Sequence, residues 1–139
     1  MNTSFKENYQ WVNLIGVAAI YGYYFAKILP PAGRDVTAEQ IVLFASLLVL
    51  LVVIHIIGAI VLIALARFKD PDPDERDRLV GLKARRSASW VLALGTAAGM
   101  AAAWFTEGNF WVMHTLLASM VLAQLAESAT QVFYYRRGF

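Results

Sequence analysis

Residues 41–66 read IVLFASLLVLLVVIHIIGAIVLIALA and contain no acidic or basic side chain. Within this stretch the departures from apolar residue types are Ser46, His55 and Gly58. At about 1.5 Å per residue, a helix of this length reaches about 39 Å, more than the ~30 Å hydrocarbon thickness of a bilayer. Soluble core helices rarely contain so long a charge-free run, so the stretch predicts a membrane span.

Three other stretches repeat this pattern more weakly. They lie at about residues 9–28, 87–105 and 110–135, and the hydrophilic segment 67–86 separates the second span from the third. With 139 residues, of which 59% are hydrophobic and 16% charged, the chain has room for four spans and little else. The predicted fold is all-α, a single integral membrane four-helix bundle whose third helix extends into the cytosol.

Short polar motifs predict where the helices begin. Two pairs spaced three residues apart have the composition of a capping box: Ser4 with Glu7, and Thr37 with Gln40. Asp72 is a candidate N-cap and is followed by Pro73 at the first helical position. The third helix is therefore predicted to begin in the cytosol and to continue to about residue 105.

The distribution of basic residues indicates how the helices are oriented. In a four-span chain the two termini and the segment 67–86 share one side, which carries ten Lys and Arg residues against Lys27 and Arg34 on the other. Since basic residues favour the cytoplasmic side, both termini are predicted to be cytoplasmic. Five of the ten are expected to meet anionic lipid headgroups or a partner: Lys83, Arg85, Arg86, Arg136 and Arg137.

Polar side chains are predicted at two depths inside the bilayer. Counting inward from the outer helix ends puts one layer about 21–26 Å deep and a second close to the outer face. The inner layer consists of Asn13, His55, Ser89, Gln124 and Glu127. The outer layer consists of Tyr24, Lys27 and His114. The hydroxyls between the layers are expected to bond to their own helix backbone, and they belong to Ser46, Thr96 and Ser119.

Glu127 is the residue for which burial in a bilayer is most costly. An ionised side chain at this depth costs about 3 kcal/mol on insertion scales unless it is neutralised, paired or facing water. His55 is predicted at a similar depth and is therefore its expected partner. Three interpretations stay open: a structural clamp between the second and fourth helices, a proton or cation relay, and a Glu127 side chain that faces the headgroups.

Several kinds of chemistry are excluded. The chain has no cysteine, which rules out disulfides, thiolate metal sites and dithiol redox reactions. His55 and His114 differ in depth by about 18 Å, too much for both to bind one haem iron. The chain contains no phosphate-binding glycine loop, nucleophile elbow or HExxH motif. We therefore expect no cofactor, no metal and no catalytic site, and the net charge of +2 gives no indication of nucleic-acid binding.

Two motifs carry a resemblance to a known family. They are DERDRL at residues 74–79, with Arg85 shortly after, and YYRRG at residues 134–138. Together with the opening Phe5-Lys6-Glu7 and the arrangement of two spans, a charged segment and two more spans, they resemble a family of small bacterial inner-membrane proteins whose domain has no known function. The resemblance implies placement in the bacterial inner membrane, and it implies no activity.

Gly95 and Gly99 form a GxxxG step in the alanine-rich third span. Small residues let helix backbones approach closely, and this packing holds helices together in lipid. With the segment 67–86, this face predicts a non-enzymatic protein that acts through association with copies of itself or with a membrane partner. The main alternative is a small proton-coupled transporter or channel that uses Glu127 and His55, and a third possibility is an enzyme that acts on lipid at the inner leaflet.

Overall fold

The computed structural model describes residues 5–29, 33–65 and 75–137, and these form four α-helices without any strand. The helices are α1 (Phe5–Ile28), α2 (Ala38–Leu65), α3 (Glu75–Phe105) and α4 (Phe110–Arg137). The all-α prediction is confirmed. The helix starts predicted at Ser4 and Asp72 lie outside the described residues, and from Glu75 onward α3 continues unbroken to Phe105 as expected.

Three of the four helices are long and apolar enough to cross a membrane, namely α2, α3 and α4. The most apolar of them, α2, has a mean hydropathy of 3.2 over its best window, and none of that window is buried inside the protein. Surface of this kind is what a bilayer covers. The helix α1 does not belong to this group, because Asn13, Lys27 and four tyrosines lower its apolar character.

The helices lie side by side in the spatial order α2, α1, α4, α3. Neighbours are antiparallel, since α1 meets α4 through Glu7 with Arg136 at one end and through Tyr24 with His114 at the other. Within the described helices, the backbone of α2 comes close to α1 and to neither α3 nor α4. The bundle is therefore open along the side between α2 and α3.

The helix with two neighbours, α1, supplies most of the core. Its buried residues follow one stripe at helical spacing: Asn13, Val17, Ile20, Tyr21, Tyr24 and Ile28. Val17 and Tyr21 pack with Val121 of α4, and Tyr24 and Ile28 pack with Phe110 at the start of α4. The inward face of α1 thus combines aliphatic residues with one amide and two tyrosines, which makes it less apolar than a purely aliphatic face.

Close packing between α3 and α4 depends on glycine. A Cβ atom added at Gly95 would overlap the Ser119 side chain, and one at Gly99 would lie 2.6 Å from Leu116 Cδ2. The expected close approach at the GxxxG step is therefore present, but its partner is α4 of the same chain. This corrects the prediction that the step is a contact face for another molecule, because α4 already covers it.

Two loops are joined at the end of the bundle where α2 and α4 begin. Thr37 and Gln40 form the predicted capping box, with reciprocal backbone-to-side-chain bonds of 3.1 and 3.3 Å. The Val36 amide donates to Asn109 Oδ1 at 2.8 Å, and the Phe110 amide donates to Arg34 O at 3.1 Å. Gly108 has a φ of 76°, the left-handed region that this turn requires. These bonds fix the starts of α2 and α4 relative to each other.

We expect Gly95→Ala to destabilise the protein by about 1–3 kcal/mol, because the added methyl group overpacks the contact with Ser119. Gly22 has nothing within 4 Å of the position a Cβ atom would take, so Gly22→Ala is the matched control. That control should be neutral or stabilising by up to about 1 kcal/mol, since Ala favours helix. Thermal unfolding in detergent measures both, and equal midpoints for the two variants would contradict this packing.

Candidate functional site: a polar cavity between three helices

One side chain connects three helices. Asn13 of α1 has its Oδ1 atom 2.7 Å from His55 Nε2 of α2, and its Nδ2 atom donates to Ser128 Oγ of α4 at 2.8 Å. Asn13 and Ser128 are both buried, with 8% and 1% of their surfaces exposed. A buried polar group costs free energy unless it is hydrogen-bonded, so these bonds stabilise the contact of α1 with both neighbours.

The expected pair of His55 with Glu127 is replaced by other partners. His55 Nδ1 lies 2.8 Å from Leu51 O, and Nε2 faces Asn13. Glu127 Oε1 accepts a hydrogen bond of 3.4 Å from Gln131 Nε2, one turn further along α4. The reason is the helix order: α2 packs against α1 rather than α4, so Asn13 lies between His55 and α4.

His55 and Glu127 nevertheless line the same cavity of about 620 Å³ between α1, α2 and α4. Asn13, Gln124 and Ser128 line it as well, so the structure brings four members of the predicted inner layer together. Further polar groups in the wall are Tyr9, Gln10, Tyr21 and Gln131, and apolar groups are Val17, Phe44, Leu48, Leu51, Leu117, Met120 and Val121. The cavity is thus amphipathic.

Ser89, the fifth member of that layer, lies on the other side of α4. It lines a hollow of about 380 Å³ between α3 and α4, together with Arg85, Gln124 and Glu127. Its own hydroxyl donates to Arg85 O at 2.8 Å. Gln124 and Glu127 therefore form a ridge on α4 with a cavity on each side.

The predicted backbone bonding of the hydroxyls between the layers is confirmed for Ser46, Thr96 and Ser119.

Of the three residues predicted in the outer polar layer, two form a buried pair, Tyr24 and His114. Tyr24 Oη lies 3.0 Å from His114 Nε2, and His114 Nδ1 lies 2.7 Å from Phe110 O. Because a carbonyl oxygen only accepts, Nδ1 carries the hydrogen and Nε2 accepts from the tyrosine hydroxyl. Lys27 does not join this pair, since its ammonium lies 5.9 Å from the centre of the Tyr23 ring.

The opposite end of the bundle holds contacts that the sequence analysis missed. Glu7 Oε1 accepts from Arg136 Nε at 3.0 Å, and only 7% of the Glu7 surface is exposed. The Arg136 guanidinium also lies 5.1 Å from the centre of the Trp11 ring. The sequence could have predicted this ion pair, because Glu7 and Arg136 carry opposite charges and lie at helix ends predicted to share one side of the membrane.

The basic residues predicted to meet headgroups divide by their contacts. Lys83 Nζ lies 4.8 Å from the centre of the Tyr134 ring, and Arg136 is paired with Glu7. The Arg137 guanidinium lies 4.9 Å from the centre of the Phe133 ring, and Arg85 and Arg86 are exposed. All five lie at the end of the bundle where α3 begins and α4 ends.

Comparison with known proteins does not identify a family for this chain. No protein-family model, curated protein or solved structure matches the chain. The resemblance in the loop and carboxyl-terminal motifs therefore stays an expectation. What the protein does has to be inferred from the cavity, the ridge on α4 and the open side of the bundle.

Tyr24→Phe should lower the stability by about 1–2 kcal/mol, because it leaves His114 Nε2 buried without its donor. Tyr23 is the adjacent residue and is 52% exposed, so Tyr23→Phe is the matched control and should change stability by less than about 0.5 kcal/mol. Chemical or thermal unfolding in detergent distinguishes the two. A loss of the same size in both variants would show that the buried bond contributes nothing.

Proposed function

We propose that the chain is a four-span protein of the bacterial inner membrane with both termini in the cytoplasm. The position of α1 supports its assignment as a span. It runs antiparallel to α4, with Glu7 bonded to Arg136 near one end and Tyr24 bonded to His114 near the other. A bilayer that covers α2 and α4 also encloses the helix between them. Seven described basic side chains on α3 and α4 lie at one end of the bundle, against Lys27 and Arg34 at the other, which favours a cytoplasmic location for the first end.

We infer that this protein works through association with a second copy of itself along its open side. The observation that carries this function is the ridge on α4, where Gln124 is exposed and Glu127 is half-buried between two cavities. In a bilayer an uncovered ridge of this kind places an amide and a carboxyl group against hydrocarbon, which is costly. Another protein surface over the ridge removes that cost.

A second copy suits the ridge because the ridge is self-complementary. In a two-fold symmetric pair the same patch of each molecule meets its equivalent. Gln124 supplies both donor and acceptor atoms, Glu127 supplies acceptors, and the two are one turn apart on the same face. Met113 and Met120 extend the ridge outward with exposures of 56% and 64%. Methionine is flexible and adapts to an opposing surface.

The absence of cysteine permits a direct test by disulfide cross-linking. Met120→Cys places a thiol on the ridge, and we expect most of the protein to form a disulfide-linked dimer when membranes are treated with an oxidant. Leu94→Cys is the matched control. Leu94 is 71% exposed and lies at the level of Met120, because Gly95 packs on Ser119. It follows Arg85 by about two and a half helical turns, so it lies on the face of α3 opposite to Arg85.

The Leu94→Cys protein should remain monomeric under the same conditions. Equal cross-linking of the two variants would indicate random collision in the membrane. Absence of the Met120→Cys dimer would show that this ridge does not meet a second copy. Either result would contradict association through the open side.

A second candidate function is proton-coupled transport, and the specific observation in its favour is the shared cavity. His55 and Glu127 both line the space of about 620 Å³ that also holds the buried network of Asn13. Imidazole and carboxyl groups are side chains that can take up and release protons. The amphipathic wall fits a small solute with both polar and apolar parts.

Glu127→Gln should abolish proton flux into vesicles that contain the purified protein, because the amide cannot exchange a proton. Glu107→Gln is the control, since Glu107 lies in the outer turn with 84% of its side chain exposed. That variant should retain the flux of the original protein, measured with a pH-sensitive dye. Equal flux in the two variants, or no flux from the unaltered protein, would eliminate transport through this cavity.

A further inference from the structure

Two cavities lie end to end along the gap between α2 and α4. The polar cavity of about 620 Å³ holds Asn13 and Glu127, and a second cavity of about 460 Å³ lies beyond it, toward the starts of α2 and α4. Phe44, Leu117 and Met120 line both cavities. Because the backbone of α2 comes close to α1 and not to α4, no described helix closes the gap from the side. The two cavities therefore form one groove, with α1 as its floor.

The two ends of this groove differ in polarity. At the start of α2 the polar side chains of the wall already have partners, since Tyr24 bonds to His114 and Gln40 accepts from the Thr37 amide. The remaining side chains at that end are apolar. The other end has Glu127 and, in addition, a set of hydrogen-bonding side chains: Tyr9, Gln10, Gln124 and Gln131. This distribution matches a molecule with a polar head and a long apolar tail.

The charge of the groove indicates which kind of head it accepts. Among the described residues that line either cavity, none is a lysine or an arginine, and Glu127 is the one acid. The hydrogen bond that Glu127 accepts from Gln131 is 3.4 Å long, beyond the usual ~3.2 Å, so its carboxyl group has room for a further donor. His55 lines the same end, but both of its ring nitrogens already contact the chain, at Leu51 O and Asn13 Oδ1. An anionic head would meet a carboxyl group and no cation, whereas a cationic donor would find an acceptor.

The length of the groove sets the length of the tail. Glu127 and Met113 mark its two ends on α4 and are about 21 Å apart at the rise of an α-helix, with Met120 halfway between them. An extended alkyl chain advances about 1.25 Å per carbon, which follows from a C–C bond of about 1.5 Å and a near-tetrahedral angle. A chain of about sixteen carbons therefore reaches from Glu127 to Met113.

We propose that this groove binds a single-chain amphiphile with an ammonium head, the head at Glu127 and the tail along α4 to Met113. An ammonium group has up to three donors, which suit the carboxyl group and the amide oxygens around it. The tail replaces bilayer hydrocarbon in the apolar end of the groove, so the head decides which molecule is selected. Binding requires neither a second copy nor proton flux, so the site goes beyond both functions considered above.

The test is photolabelling of the full chain in phosphatidylcholine vesicles by hexadecylamine that carries a diazirine either at mid-chain or at the end of the chain. After illumination, mass spectrometry should find the mid-chain probe on Met120 or Leu117, and the end-chain probe on Met113 or Ile41. Unlabelled hexadecylamine should prevent this labelling. Hexadecanoic acid, which has the same tail length and an anionic head, should not prevent it at the same concentration.

Substitutions of Glu127 test the position of the head. Glu127→Gln should raise the probe concentration for half-maximal labelling about tenfold, given the strength of hydrogen bonds to charged groups. Glu127→Asp keeps a carboxyl group and should retain most of the labelling. Glu107→Gln removes an acid from the outer turn, where 84% of the side chain is exposed, and should leave the labelling unchanged.

Three results would overturn the proposal. Label positions that do not follow the diazirine, or equal labelling by amine and acid probes, would show that ordinary bilayer lipid fills the groove. Absence of label on the groove residues would show that another surface, such as the ridge of a second copy, occupies it. Equal labelling of the Glu127→Gln and unaltered proteins would show that the head does not lie at Glu127.

Discussion

A polar group that is buried away from water, in a protein core or in a bilayer, must find its partner within protein. In this chain Asn13 is the buried group that meets this requirement across three helices. Its amide satisfies His55 of α2 through one atom and Ser128 of α4 through the other. Because the backbone of α2 comes close to α1 and to no other described helix, this link and the apolar side-chain contacts around it hold α2 in place. The central position of α1 explains why it buries an amide and two tyrosines among its aliphatic residues.

The polar groups of α4 divide into two sets with different consequences. Ser119, Ser128 and His114 face neighbouring helices, are buried and have partners in the chain. Gln124 and Glu127 face the side that α2 and α3 leave open. Closing the bundle through contact of α2 with α3 would have covered them, but the chain instead packs α3 tightly against α4 at Gly95 and Gly99. The open side is thus a result of which helix faces contain small residues.

Hydropathy and capping motifs were sufficient to predict the helices but not their arrangement. The run at residues 41–66 and the pair Thr37 and Gln40 depend on neighbours along the chain, and the structure has α2 at Ala38–Leu65 with that capping box formed. Depth along a helix was also predictable, and it correctly grouped Asn13, His55, Gln124 and Glu127 around one cavity. Depth does not specify which helices are neighbours. For that reason His55 was assigned to Glu127 when its partner is Asn13, and the glycine step was assigned to another molecule when its partner is α4.

The two histidines show how one local geometry serves two different contacts. Each ring bonds through Nδ1 to the carbonyl oxygen four residues earlier, so each presents Nε2 to the neighbouring helix. The partner of His114 is the Tyr24 hydroxyl, whereas the partner of His55 is the Asn13 amide, which also donates to Ser128. Ser128 is the residue next to Glu127 on α4, so the link from α2 ends beside the ridge. This link and a second copy on the ridge would therefore act on the same turn of α4, and any coupling between them is reciprocal.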